Sequence, residues 1–242
     1  MITISIISHG HGAMLSEILE QVLEFPEIEQ VIVTLNIPES IDLPKDSRIT
    51  LIQNQESKGF GANHNYAFTK CKSSHFCVLN PDIAFDLNPF PCLLDSLFDA
   101  SVGLVAPMVK NKEGGVEDSV RTFLTPMSIL RRRLLGQREV YRFQEGDPNF
   151  CVEWVGGMCM LFPSSAYAAI NGFEERYFMY VEDADICTRL WLAGYKVLAC
   201  PSALVIHDAR RASRKNWQHF RWHFTSLFRY FWKYTGRLPT LP

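Results

Sequence analysis

Residues 76–82, which read Phe-Cys-Val-Leu-Asn-Pro-Asp, decide how the rest of the chain is interpreted. The apolar run at 76–79 is short enough to be a buried strand. Pro81 cannot donate to a strand ladder and biases Asn80 towards an extended or turn conformation. Asp82 is therefore predicted at the carboxyl end of a strand, where α/β sheets bind ligands and a carboxylate suits a divalent cation. Taken alone, the segment fits a simple turn capped by Asp82 better.

Composition and charge exclude several classes of protein. Of the 242 residues, 47% are apolar, which is enough for a core, and the net charge of −2 argues against general nucleic-acid binding. The seven cysteines include no Cys-x-x-Cys pair, which fits free thiols in a reducing compartment. The N-terminus is expected to be a strand rather than a signal peptide, and no apolar run approaches the roughly 20 residues that cross a bilayer. These features predict a cytoplasmic protein.

Strands alternate with helices along the first half of the chain. Apolar runs predict strands at 2–8, 31–35, 49–53, 76–79 and 103–109, and later at 152–162, 196–200 and 203–206. Helices are expected between them, one of them beginning after Asn65. This alternation is typical of an α/β protein whose mostly parallel sheet is covered on both faces. The polar residues 112–149 are interpreted as an excursion over the site.

Candidate ligand-binding residues fall at the predicted strand ends. They are Ser8, His9 and Gly10 after the first strand, Asn36 after the second, and Lys58, Gly59, Phe60 and Asn63 after the third. Glycines allow close backbone approach, and a helix N-terminus beside a lysine can bind an anion, so one hypothesis is a nucleotide site. Plain strand-to-helix connections are the alternative.

The second half of the chain adds candidate acceptor or sugar contacts. Arg121 can hold a phosphate or carboxylate in a bidentate fork, or form a surface ion pair. Trp154 can stack on a sugar or fill the core. Gly156 and Gly157, inside an apolar strand pattern, indicate that something approaches the backbone closely.

The densest acidic group is Glu182, Asp183 and Asp185, at the start of a predicted helix. Acids there favour the helix dipole, but a cap needs one carboxylate rather than three. Carboxylates close together beside the aromatic residues at 177–180 suit general-base chemistry on a sugar hydroxyl. Their mutual repulsion can also raise one pKa.

His207 follows the last predicted strand. A histidine there is more often packed or capping, but in a chain that offers Asp82 it is also a candidate metal ligand, with Asp208 as its partner. Residues 214–237 carry aromatic side chains at helical spacing with interleaved Arg and Lys and no acid. Such a helix can lie on an anionic membrane surface, pack one face on the domain, or do both.

In this order and spacing, the motifs resemble the family 2 glycosyltransferases, and most closely their rhamnosyltransferase-like branch. The resemblance covers roughly residues 1–210 and rests on 8–10, 59–65, 80–82, 154–157, 172–178, 182–185 and His207. It implies a GT-A fold, a Rossmann-like, mostly parallel mixed sheet flanked by helices, which binds a nucleotide sugar and usually Mg²⁺ or Mn²⁺. It also implies inverting transfer, in which a base takes the acceptor proton while the metal stabilises the departing diphosphate.

Position by position, the resemblance implies that Asp82 and His207 hold the metal and that Asp183, paired with Glu182, is the base. The Ser8 turn, Asn36, Asn80 and the loop from Lys58 to Asn63 match the nucleotide-sugar side.

The chain departs from the family pattern at two of these positions. Asn80 replaces the first acid of the family's Asp-x-Asp, which leaves a weaker metal site open. Asn36 stands where many members have an Asp that reads uracil, which leaves thymidine diphosphate sugars open.

The expected organisation is a transferase domain at 1–210, with a nucleotide-sugar half at 1–110 and an acceptor half at 111–210, followed by the basic aromatic helix at 211–242. The expected activity is transfer of a sugar such as rhamnose from a dTDP- or UDP-linked donor to a glycan or lipid-linked acceptor in bacterial surface polysaccharide synthesis. We expect the protein on the inner face of the cytoplasmic membrane. The alternatives are a nucleotidyltransferase and a membrane scaffold with weakened metal binding.

Overall fold

The computed structural model describes residues 1–135, 141–208 and 217–241, without the side chains of residues 132, 133 and 135. The strands are β1 (Ile2–Ser8), β2 (Ile28–Leu35), β3 (Ile49–Gln53), β4 (His75–Leu79), β5 (Ile83–Ala84), β6 (Val102–Asn111), β7 (Val120–Arg121), β8 (Phe150–Cys151), β9 (Trp154–Val155), β10 (Cys159–Pro163) and β11 (Lys196–His207). The helices are α1 (Ala13–Leu23), α2 (Phe60–Phe68), α3 (Phe90–Asp95), α4 (Pro126–Leu135), α5 (Ser164–Ala169), α6 (Glu182–Leu192) and α7 (Trp217–Tyr234).

The main sheet runs in the order β3-β2-β1-β4-β10-β6-β11-β5, and β8 pairs with β11. Strand β1 pairs in parallel with both β2 and β4, and β6 pairs in parallel with β11. Strand β10 is antiparallel to both β4 and β6, so β4, β6 and β11 all point the same way. The predicted α/β class and mixed sheet are thus confirmed, and the carboxyl ends of β1, β2, β4 and β11 meet at one edge.

Both faces of the sheet are buried because successive strand residues point to opposite sides. In β4, Phe76 and Val78 belong to the core under α2, α5, α6 and α7, whereas Cys77 and Leu79 belong to the core under α1 and α3. All four side chains have no solvent exposure. This double burial explains why the strand reads as a continuous apolar run rather than an alternating one.

Three predicted elements differ from the structure. Helix α2 begins at Phe60, not after Asn65, because the Phe60 N–H donates to Phe178 O at 3.0 Å and starts the helix early. The predicted strand at 152–162 is interrupted between β9 and β10, where Asn80 N donates to Met158 O at 2.9 Å. Strand β11 is continuous, with a register shift between Cys200 and Leu204 instead of a break into two strands.

The predicted excursion at 112–149 contains the short strand β7 and helix α4 within its described part. Strand β7 pairs with β9 in a small second sheet. The C-terminal helix is described over Trp217–Tyr234, and residues 214–216 of the predicted helix lie outside the described residues.

Candidate active site

A histidine joins two carboxylates at the carboxyl edge of the sheet. His207 Nε2 lies 3.1 Å from Asp82 Oδ2, and His207 Nδ1 lies 2.7 Å from Glu117 Oε2. The hydrogen bond to Asp82, more than the one to Glu117, raises the pKa of His207 to about 9 despite partial burial. The imidazole is therefore protonated at neutral pH and donates to both carboxylates. We call Asp82, His207 and Glu117 the metal edge.

The metal edge fits a divalent cation only as a partial site. Asp82 Oδ1 is buried without a hydrogen-bond partner, so this oxygen has a free lone pair. A carboxylate oxygen is a ligand for Mn²⁺, and the His207 imidazole becomes one once the nitrogen that faces Asp82 has given up its proton. The described part of the chain has no group of three or more His, Cys, Asp or Glu that could hold a metal. Two protein ligands then require that donor phosphates and water complete the coordination.

The sequence misassigned the partner of His207. Asp208 instead pairs with Lys112, with 2.7 Å between its Oδ2 and the ammonium. Glu117, which the sequence analysis missed, orients the His207 ring through its other nitrogen. No sequence signal links them, because the two residues are 90 positions apart.

Three asparagines fix the loop that carries Lys58. Asn36 Oδ1 accepts from Lys58 N at 2.8 Å and from Asn54 Nδ2 at 2.9 Å. Asn63 Nδ2 donates to Lys58 O at 3.2 Å and to Gly59 O at 3.1 Å. Asn36 and Asn63 are 6% and 1% exposed, so their buried amides hold the loop backbone in place. The Lys58 side chain itself is exposed.

The turn after β1 is held by its own polar groups. Ser8 is buried, and its Oγ accepts from His11 N at 3.2 Å. Glu39 accepts from the backbone N–H groups of Gly10 and Gly12, each at 3.3 Å. Burial lowers the pKa of His11. His9 is exposed beside this turn.

The glycines at 59 and 61 allow other segments of the protein to pack closely against them and leave no room for a ligand. A Cβ on Gly59 would lie 2.8 Å from Phe178 O, and one on Gly61 would lie 2.6 Å from Phe173 Cβ. The start of α2 therefore packs directly on the segment that precedes the acidic group. The Phe60 ring lies 3.4 Å from where a Cβ of Gly157 would stand.

The acids at the start of α6 have three different environments. Asp183 is partly exposed, and its Oδ1 accepts from Ala184 N at 2.8 Å. Desolvation raises the pKa of Asp183, although the Ala184 N–H, the charge of Arg121 and the Gly157 N–H oppose this. A carboxylate with a raised pKa is a suitable general base near neutral pH.

Glu182 and Asp185 are enclosed by protein. Glu182 is 7% exposed, its Oε2 has no partner, and burial together with neighbouring Asp183 raises its pKa to about 8. Asp185 is fully buried and bonds Arg189 Nε at 2.7 Å, Lys233 Nζ at 2.7 Å and the Tyr234 hydroxyl at 2.8 Å. Asp183 is thus the one of these three acids that is free to act on a substrate.

Arg121 lies beside Asp183, whereas Trp154 is part of the core. The Arg121 guanidinium lies 4.9 Å from the Trp154 ring centroid and pairs with Asp118 at 3.2 Å. Trp154 is 4% exposed and donates its indole N–H to Thr122 O at 2.6 Å. Of the two interpretations of Trp154, its burial favours the one in which it fills the core, and its ring contacts Arg121.

Two short links join the metal edge to Asp183. Gly157 contacts Asp183, and the next residue, Met158, accepts a hydrogen bond from Asn80 N beside Asp82. Gly156 N donates to Ser119 O at 2.8 Å, which fixes the other end of this glycine turn. The turn predicted to admit a ligand therefore lies between the two groups of acids.

A cavity of about 670 Å³ opens next to the metal edge. It is lined by Val116, Glu117, Asp118, Val120, Tyr141, Arg142, Phe143, Gln144 and Asp147. Glu117 belongs to the metal edge, and Asp118 pairs with Arg121, so one wall of the cavity touches both parts of the site. Aromatic faces beside carboxylates and an amide are suited to sugar rings with several hydroxyl groups.

Helix α7 packs one face on the acidic segment and exposes the other. Its inner face consists of His219, Trp222, Ser226, Tyr230, Lys233 and Tyr234. Its outer stripe consists of Trp217, Phe220, Phe224, Phe228 and Trp232, which are 54–85% exposed. Among the described residues, no helix has the length and apolar character to cross a membrane.

The sheet, the metal edge and the Asp183 carboxylate together define a sugar-transferring enzyme of the GT-A fold. Residues 2–225 match the family described as Glycosyltransferase like family 2, and the chain belongs to this family. The sequence-based assignment to the family is therefore confirmed.

Two relatives support the rhamnosyltransferase-like branch. The chain is 29% identical to Rhamnosyltransferase WbbL of Escherichia coli (strain K12) over 256 residues, which cover 95% of this chain and 92% of the relative. It is 32% identical over 165 residues to the N-acetylglucosaminyl-diphospho-decaprenol L-rhamnosyltransferase of Mycobacterium tuberculosis (strain ATCC 25618 / H37Rv). That match covers 62% of this chain and about half, 52%, of the mycobacterial relative.

Two solved structures share the fold. Mannosyltransferase PcManGT from Pyrobaculum calidifontis, in complex with GDP-Man and Mn²⁺, has a TM-score of 0.64 at 14% identity, covering 98% of this chain and 65% of that one. GalNAc-T7 with UDP, GalNAc and Mn²⁺ has a TM-score of 0.62 at 14% identity, covering 85% and 43%. Both structures contain Mn²⁺, and their likeness to this chain shows the GT-A fold.

Proposed function

We propose that the protein is an inverting glycosyltransferase that moves a sugar such as rhamnose from a nucleoside diphosphate to a lipid-linked glycan. The observation that carries the proposal is Asp183, a partly exposed carboxylate of raised pKa next to the glycine turn that leads to the metal edge. The names of both sequence relatives support rhamnosyl transfer, and one is named for an N-acetylglucosaminyl-diphospho-decaprenol acceptor.

In the proposed reaction, Asp183 removes the proton from an acceptor hydroxyl as its oxygen attacks C1 of the donor sugar. The new C1–O bond forms on the face opposite the breaking bond to the diphosphate, which inverts the anomeric centre. Asp82 and His207 would hold Mg²⁺ or Mn²⁺, which stabilises the departing diphosphate when bound. Exposed Lys58 is the candidate for a further contact to the donor's negative charge.

The acceptor is proposed to enter through the cavity beside Glu117 and Asp118. Tyr141 and Phe143 offer apolar faces for a sugar ring, and Asp147 and Gln144 offer groups for its hydroxyls. The acidic lining disfavours a diphosphate inside the cavity, so the acceptor's glycan part fits there better than its anionic part. The division into a donor half at 1–110 and an acceptor half at 111–210 remains part of this proposal.

The donor is tested by a thermal-shift panel of dTDP, UDP, GDP and CDP, each with and without Mn²⁺. Binding to the native state stabilises it by about 2.7 kcal/mol at a ligand concentration of 100 times Kd, and this stabilisation raises the melting temperature. We expect a Mn²⁺-dependent shift with dTDP or UDP, reduced in Asp82→Asn and retained in Asp95→Asn, an exposed acid on α3. No shift with any nucleotide contradicts the proposal and favours the scaffold alternative.

The outer stripe of α7 is proposed to bind an anionic membrane surface, where a lipid-linked acceptor lies. Its five large aromatic side chains are exposed along one side of the helix. Arg221 and Arg237 are exposed nearby, and the sequence after Asp208 contains no acid. Apolar burial and attraction to anionic lipids act together in such helices.

The membrane proposal is tested by sedimentation with vesicles of phosphatidylcholine, with or without phosphatidylglycerol. We expect anionic vesicles to bind more protein. The Phe224→Ser/Phe228→Ser variant should bind roughly tenfold more weakly, because it lacks two exposed rings that the lipid would bury. Phe98→Ser, which removes an aromatic ring 86% exposed elsewhere on the protein, is the matched control. Equal binding by both variants, or no preference for anionic lipid, contradicts the proposal.

A further inference from the structure

The segment before the acidic group has a strained backbone. Tyr180 and Val181 have φ of 72° and 71°, in the left-handed region that a β-branched residue rarely adopts. Val181 is also the N-cap of α6, and it has no side-chain cap hydrogen bond. Its carbonyl accepts the first helical hydrogen bond, from Asp185 N at 2.9 Å. The direction in which α6 presents Asp183 therefore depends on a conformation that valine disfavours.

Helix α7 contacts this segment through two hydrogen bonds. Ser226 Oγ donates to Met179 O at 3.1 Å. The Tyr180 hydroxyl lies 2.8 Å from His219 Nδ1, and the two rings meet edge to face. Both contacts fall on the residues immediately before Val181, so they oppose relaxation of the strained backbone.

The segment is also held from its other side. The Trp222 ring of α7 stacks on Phe178, with 4.6 Å between the ring centroids. Phe178 O accepts from Phe60 N at the start of α2, where Gly59 leaves no space for a side chain. The segment is thus enclosed between α2, whose preceding loop carries Lys58, and α7.

The inner face of α7 is anchored independently of these contacts. Lys233 and Tyr234 both bond Asp185 Oδ1, and the Tyr230 hydroxyl lies 2.7 Å from Thr188 Oγ1. These bonds fix the second half of α7 on α6 itself. Removing the contacts of Ser226 and His219 should therefore leave the helix in place.

We propose that α7 is a positioning element for transfer, whose Ser226 and His219 hold residues 179–181 in the strained conformation that aims Asp183 at the acceptor. The inference rests on the proposed role of Asp183 as the base. It adds that the catalytic rate depends on two side chains that contact neither donor nor acceptor.

The test is the double variant Tyr180→Phe/Ser226→Ala, which removes both hydrogen bonds and keeps the aromatic packing. Transfer is assayed in detergent micelles, so that membrane partitioning does not vary. We expect kcat to fall at least about tenfold, since a misplacement of about 1 Å can cost on the order of 100-fold. The donor KM should change by less than about twofold, because the metal edge is untouched.

A rescue separates positioning from general loss of structure. Adding Val181→Gly to the double variant should restore much of kcat, because glycine adopts positive φ without a Cβ penalty. The control Tyr195→Phe/Thr225→Ala removes one phenol and one exposed hydroxyl outside the segment and should keep wild-type kcat.

Three results would overturn the inference. They are an unchanged kcat in the double variant, a kcat that stays low after Val181→Gly, and a parallel loss of kcat and of the nucleotide-induced thermal shift. Asp183→Asn identifies which proposal has failed. If Asp183→Asn retains transfer, the base assignment is wrong; if it abolishes transfer while the double variant is unaffected, only the role of α7 is wrong.

Discussion

The metal edge and the acidic group at the start of α6 handle negative charge in opposite ways. At the metal edge, Asp82 and Glu117 share one imidazolium, and a single buried oxygen of Asp82 has no hydrogen-bond partner. At the start of α6, burial raises the pKa of Glu182, and two cations and the Tyr234 hydroxyl bond Asp185. Asp183 is the member of this group that is partly exposed to solvent.

The difference shows that the chemistry of an acid depends on the charges and burial that the fold brings to it. The metal edge uses a shared cation, and a divalent metal held by Asp82 and His207 would displace the proton that gives the imidazole its charge. The α6 group assigns each acid a separate environment, so one residue can be a base while its neighbours serve structure. Variants at single acids should therefore have effects that do not overlap.

The largest expected effect is that of Asp183→Asn on transfer. An amide of the same shape cannot accept a proton, and loss of a general base typically costs 10²- to 10⁴-fold, so we expect kcat to fall by roughly that factor. The Mn²⁺-dependent nucleotide shift should persist, because Asp183 does not belong to the metal edge. The measurement is kcat with saturating donor together with the thermal shift of the same protein.

Asp82→Asn gives the complementary result and serves as the comparison. Its transfer should fall together with the Mn²⁺-dependent nucleotide shift, and Asp95→Asn should change neither. If Asp183→Asn and Asp82→Asn lose the nucleotide shift equally, the two acidic regions are one binding site and the comparison fails.

The sequence predicts most of the sheet because its strands are short, apolar and bounded by turn residues. The bounds of β1 and β3 agree with the predicted 2–8 and 49–53. The errors lie where distant residues decide local structure. The early start of α2 depends on Phe178, and the interruption after β9 depends on Asn80, and neither contact is visible in a local pattern.

For the site, strand-end position and acid density indicate Asp82, His207 and Asp183, and the structure places these residues at the metal edge and beside the glycine turn. Their roles remain predictions. Glu117 and the anchoring of Asp185 by α7 could not be predicted, because their partners lie 90 and 48–49 positions away. The sequence also cannot show that Trp154 is buried, since one tryptophan suits a core and a sugar platform equally.

The smallest expected effect is the pH dependence of stability caused by Glu182. Its pKa is raised from 4.5 to about 8, so the unfolded state loses this proton at lower pH than the native state does. The associated stability is fully present below pH 4.5 and is lost as pH rises towards about 8, with a limiting slope of about 1.4 kcal/mol per pH unit. Glu182→Gln carries no such proton, so metal-free Glu182→Gln should match the wild type near pH 5 and become progressively more stable than the wild type as the pH rises towards 8. Urea unfolding in EDTA across this range measures the difference, with Glu20→Gln on the exposed side of α1 as the control. Parallel pH profiles for Glu182→Gln and wild type would mean that Glu182 loses its proton at the same pH in the native and unfolded states, and the separate environments assigned to the acids of α6 would be wrong.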